Sequence, residues 1–158
     1  MTLCARLALF GAVLLGVSAA AQAESDRGLE VVGLAGGTVS LDLDQIESMG
    51  STRLETTTVW TDGQQSFVGV TGADFVAAIG ASGEAVLTHA INDYEVVIPF
   101  AVFAAETTLI AYRRNGEPMS VRDKGPLWIV FPFDADAMFQ SDTYRSYAIW
   151  NLDRVEFR

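Results

Sequence analysis

Four turn dipeptides, Gly36-Gly37, Asp62-Gly63, Asn92-Asp93 and Asn115-Gly116, cut this chain into runs too short for anything but brief strands and helices of two or three turns. LEVVGLAGGTVSL (29–41) reads as two strands around the glycine pair, and TRLETTTVW (52–60), rich in β-branched residues, as one arm of a hairpin with SFVGV (66–70). Further strands are expected at 84–90 and 94–98, and LIAYRRNGEPMSV (109–121) reads as a hairpin across Asn115-Gly116. LWIVFPF (127–133) is continuously apolar, as a strand buried on both faces would be. A final strand is expected within 147–157, after a polar loop, DADAMFQSDTYR. The helical segments are LDQIES (43–48), capped by Asp42 or Asp44, GADFVAAIGA (72–81), and a short helix begun by Pro99. The expected class is therefore α+β, dominated by mixed or antiparallel sheet with few short helices.

Residues 1–23 read as a secretory signal: Arg6, an apolar run from Leu7 to about Val17, and the small-residue site Ala21-Gln22-Ala23. The run is too short to span a bilayer, which takes about 20 apolar residues. A mature chain of residues 24–158 forms one domain, expected in the periplasm or secreted, with no membrane span after signal cleavage. The only cysteine, Cys4, leaves with the signal, so no disulfide forms and stability must come from packing. Half of the residues are hydrophobic, which makes that feasible. The whole chain carries 20 acidic against 10 basic residues, and loss of Arg6 makes the mature domain still more acidic. Such a charge repels phosphate backbones and anionic lipid, so nucleic acid is excluded as a partner.

His89 is the only histidine, which rules out any multi-histidine metal site and makes a packed strand residue the better reading. Ser82, Ser120, Ser141 and Ser146 lack the nucleophile-elbow pattern. Asp134, Asp136 and Asp142 offer oxygen atoms suited to calcium, but their spacing fits no EF-hand and the loop reads as solvated. The distinctive feature is basic: Arg113, Arg114, Arg122 and Lys124 lie within twelve residues of an acidic chain. Arginine's planar fork matches carboxylate or phosphate oxygens in two hydrogen bonds, so the cluster suits an anion. Adjacent strand residues point to opposite faces, so Arg113 and Arg114 cannot both serve one pocket. Pairing with Glu117 and Asp123 is the competing account.

The succession FVGVTGADFVAAIGA, NDYEVVIPF, LIAYRRNGEPMSVRDKGPLWIVFPFD and SYAIWNLDRVEF resembles the oxidoreductase molybdopterin-binding domain of the sulfite oxidase family over roughly residues 52–157. The resemblance implies a sulfite oxidase-type molybdopterin-binding fold. In that family a pterin dithiolene carries molybdenum, a cysteine adds a further sulfur, and basic residues hold the pterin phosphate. The family's cysteine position falls here within TTTVWTDG, where Thr57, Thr58, Val59 and Trp60 stand and none is a thiolate. Trp128 occupies the place of a cofactor-directed arginine, and Lys124 that of a histidine or other polar contact. The resemblance thus implies an exported domain without the metal site, acting as a sensor or accessory module for a small anionic ligand or a periplasmic protein partner. Arg114, Arg122 and Lys124 are the candidates for the anion, with Arg113 turned to solvent, and Trp60 and Trp128 for a flat pocket wall. No catalytic residue and no metal ligand is expected. The alternative is a molybdopterin-dependent oxidoreductase that keeps the cofactor without a cysteine ligand. A third reading is a structural subunit whose Trp128, Phe131 and Phe133 face a partner chain.

Overall fold

The computed structural model describes residues 28–158, so the expected signal segment, 1–23, lies outside the described residues. Two short strands, β1 (Leu29–Leu34) and β2 (Gly37–Leu41), open the domain as an antiparallel pair. Helix α1 (Leu43–Met49) follows at once, because Asp42 accepts from the Gln45 amide while the Gln45 side chain accepts from the Asp42 amide. Next come β3 (Thr52–Thr57), β4 (Gln64–Thr71), α2 (Gly72–Ile79), β5 (Ala85–Ala90), β6 (Glu95–Pro99), α3 (Phe100–Phe103), β7 (Leu109–Arg114) and β8 (Glu117–Pro118). The chain closes with β9 (Trp128–Val130), α4 (Asp142–Tyr147) and β10 (Leu152–Phe157).

These strands make two sheets. One has the order β2-β1-β10-β5-β6, with β1 and β10 parallel and the other pairs antiparallel; in the other, β3, β4, β7 and β8 follow one another and β9 also pairs with β7. The expected mixed α+β class is what forms. One apolar core includes Phe67, Phe75, Phe103, Ile110, Trp128 and Ile129, each with no exposed surface.

The segment LWI is apolar because it has chain on both sides. β7 pairs with β9 on one edge, while on the other the Ile129 amide donates to the Ile149 carbonyl (2.9 Å) and the Leu152 amide to the Leu127 carbonyl (3.1 Å). The strand is shorter than expected, ending at Val130 ahead of Pro132, which has no amide hydrogen for a ladder. Trp128 and Phe131 are fully buried and Phe133 is nearly so; these aromatics therefore present no apolar patch to a partner, and the structural-subunit reading loses its basis.

Two further boundaries differ from expectation. The strand expected over 52–60 stops at Thr57, where Asp134 captures the Thr57 amide (2.6 Å) and hydroxyl (2.5 Å) and so draws the chain out of the ladder. The expected polar loop instead folds as a 3₁₀ turn, Ala137–Gln140, capped by Asp136, and then as α4, capped by Ser141. As a result the last strand begins at Leu152.

Candidate ligand-binding cleft

The loop leaving β3 folds back on itself. The Thr58 hydroxyl accepts from the Trp60 amide (3.1 Å) and lies 2.8 Å from the Thr61 hydroxyl, which turns the indole of Trp60 inward. There Trp60 meets Trp150 edge to face at 5.3 Å between ring centres, Phe133 at 6.1 Å and Trp128 at 6.2 Å. Trp150 is placed by its bridge to Trp128 across the β9 edge. All three tryptophans of the chain thus form one cluster.

Two cavities open on either side of Trp60. The larger, about 320 Å³, is walled by Trp60, Trp150, Tyr94, Ile149 and the small side chains Ala90 and Ala148, with Asn92, Arg145 and Ser146 as its polar members. The smaller, about 180 Å³, is the more polar of the two, with Thr57, Thr58, Asp134, Gln140 and again Arg145 beside Val59, Trp60 and Phe133. Trp60 and Arg145 line both spaces, described below as two lobes of one candidate cleft, and among the described residues Arg145 is the one cation lining them. Arg145 projects from α4 and is partly exposed; its one carboxylate contact among the described residues, to the fully exposed Asp142, is 3.3 Å long. An exposed pair of that kind is worth little and leaves most of the five guanidinium hydrogens for other acceptors.

The carboxylate of Asp134 is held below the usual range, chiefly by the Thr57 hydroxyl and then by the Thr57 amide, so the polar lobe carries a fixed negative charge near neutrality. His89 lies elsewhere: its Nδ1 is 2.8 Å from Glu95, and on β5 it alternates with Ala90, which walls the cleft.

Of the residues expected to form the site, Trp60 lines both lobes. Trp128 is a floor beneath the wall, with no exposed surface and its indole nitrogen donating to the Ala148 carbonyl (3.3 Å). The three expected cations line neither lobe. Arg114 is half-buried at the end of β7, opposite Phe67, and Arg122 is exposed on the 3₁₀ turn Val121–Asp123. Lys124 packs its ammonium over the ring of Trp150 at 4.7 Å, so it supports the aromatic cluster from behind. Asn151 fixes that basic loop by donating from its side chain to the Val121 and Gly125 carbonyls. Arg113 is not turned to solvent as expected but pairs with Glu47 at 3.0 Å.

Sequence reasoning missed Arg145 because its segment read as loop. The signal was present in Ser141 followed by Asp142, a capping residue with an acid in the first turn, which marks a helix start.

No protein-family profile matches the chain. It is 30% identical over 110 residues to the uncharacterized oxidoreductase YuiH of Bacillus subtilis, covering 66% of this chain and 56% of that protein. In structure it is similar to the sulfane dehydrogenase SoxCD of Paracoccus pantotrophus, with a TM-score of 0.56 at 15% identity, over 84% of this chain and 38% of the other. The chain therefore spans little more than half of the first and well under half of the second.

Whether a molybdenum–thiolate centre suits the cleft can be judged from its donors. Neither lobe is lined by a sulfur atom. At the end of β3 the Thr57 hydroxyl is committed to Asp134, and the buried Thr56 hydroxyl accepts from the Asp134 amide (3.3 Å). Among the described residues no three His, Cys, Asp or Glu side chains converge as a metal set. Hydroxyls and a carboxylate are hard donors and do not replace a soft thiolate. The residues do not fit that centre.

Proposed function

We propose that this chain, whose domain has the fold of the sulfite oxidase-type molybdopterin-binding oxidoreductases, is an exported binding module that holds a small anionic ligand in the Trp60–Arg145 cleft and has no molybdenum–thiolate centre. One observation carries the reading. The cleft opens at the end of β3, where the resemblance to the family puts the metal's sulfur ligand, and it offers there an arginine between aromatic and hydroxyl-bearing walls instead.

The anion site is thus assigned to Arg145 in place of Arg114, Arg122 and Lys124. Magnitudes support a site of this form. The chain's formal net charge of −10 disfavours anions at long range, and one exposed ion pair contributes about 0–1 kcal/mol. Micromolar binding takes about 8 kcal/mol, so most of it must come from shape and apolar burial, at about 25 cal/mol per Å². The larger lobe supplies such walls.

The reading is tested by intrinsic tryptophan fluorescence, because Trp60 and Trp150 line the cleft and Trp128 packs against both. Titration with a panel of small organic and inorganic anions should give saturable quenching with at least one of them, reduced about tenfold or more in Arg145→Gln. The same response in wild type and variant would remove Arg145 from the site. The oxidoreductase alternative is favoured by the name of the Bacillus subtilis relative; it would require molybdopterin held without a cysteine ligand.

A further inference from the structure

We infer that the ligand of this cleft is an aromatic monoanion, a single-ring or fused-ring carboxylate whose ring fills the apolar lobe and whose charge meets Arg145; the inference rests on the proposed binding role. The larger lobe is walled mainly by Trp60, Trp150, Tyr94 and Ile149, and the small side chains of Ala90 and Ala148 leave its volume of about 320 Å³ open. Trp60 and Trp150 meet at an interplanar angle of 62°, so they form two non-parallel faces of a slot, a shape that takes a flat ring on one face and its edge on the other. The Tyr94 hydroxyl is already used, donating to the Ser146 carbonyl (3.2 Å), so this part of the wall presents ring surface.

The charge count fixes the other half of the inference. Among the described residues Arg145 is the one cation lining either lobe, and two carboxylates stand beside it: Asp134 in the polar lobe and Asp142 in contact with the guanidinium. A second negative charge on the ligand would face Asp134, which is held ionised by Thr57. One carboxylate can take the uncommitted guanidinium hydrogens of Arg145, and a second would have no cation to meet. A small anion without a ring would leave the apolar lobe to water and keep only a partly exposed ion pair.

Isothermal titration of the exported domain with benzoate, benzamide, acetate and phthalate tests each part. Benzoate should bind at least tenfold more tightly than neutral benzamide, than acetate, which lacks the ring, and than phthalate, which carries a second charge. Arg145→Gln should weaken benzoate about tenfold and leave benzamide unchanged, while Arg145→Lys should keep part of the preference for charge. If acetate or sulfate binds as tightly as benzoate, the anion site stands and the aromatic assignment is overturned. If benzamide equals benzoate, the charge assignment is overturned. If none of the four probes binds and inorganic anions fail as well, the binding role falls together with the inference.

Discussion

Asp153, half-buried, and Asp134, exposed, are two carboxylates moved in opposite directions, and the difference lies in the surroundings of each. Asp134 sits in the grip of Thr57 and is lowered; Asp153, on β10, is raised, first by desolvation and only partly offset by Arg154 and His89. A raised acid binds more protons folded than unfolded, so its stabilising effect is present at low pH and is lost as pH rises through the folded value. At neutral pH ionised Asp153 is a cost. Asp153→Asn should therefore raise the unfolding free energy measured in urea at pH 7, by less than about 1 kcal/mol given its partial exposure, and the gain should vanish toward pH 3. For Asp134 the sign reverses: its contribution is full above the ordinary carboxylate value and is lost as pH falls through the lowered one. Asp134→Asn should lower stability at pH 7 and narrow its deficit in acid, read from thermal unfolding across that range.

At the scale of elements, the hairpins were legible because turn chemistry is local. Asn115 and Gly116 both take positive φ, 54° and 89°, as the dipeptide demands, and the Asn115 side chain also accepts from the Ser66 amide (3.0 Å) to bind β4. A methyl group on Gly116 would meet nothing within 4 Å, so Gly116→Ala isolates the backbone term and should cost about 1–2 kcal/mol in chemical denaturation. At Gly125 a methyl carbon would stand 1.9 Å from the Met119 carbonyl oxygen, so Gly125→Ala must displace the basic loop and should cost more than Gly116→Ala. The boundaries that could not be read depend on distant partners. β3 ends early because of Asp134, far along the chain, and no local signal in TTTVW announces it. The segment before β10 was misjudged for a different reason: its caps were visible, but its polarity outweighed them. The basic cluster shows the limit of proximity in sequence. Arg113, Arg114, Arg122 and Lys124 are neighbours along the chain, yet one pairs with Glu47, one stacks on Trp150, and the cation that reaches the cleft is Arg145.

For the whole molecule, fold and chemistry separate. The arrangement of two sheets around one core follows from apolar patterning spread over many residues, which is why the resemblance carried it at low identity. A cofactor centre depends on a few donor atoms and is lost when those change, with the surrounding fold intact. Here the end of β3 carries Thr56 and Thr57, whose hydroxyls are engaged with Asp134, and no thiolate. The direct test is molybdenum and pterin content, measured by elemental analysis and by fluorescence of the released pterin, on the domain exported from a host that makes the cofactor. The account predicts that both are far below stoichiometric and that benzoate still binds; near-stoichiometric molybdenum in the purified protein would contradict it.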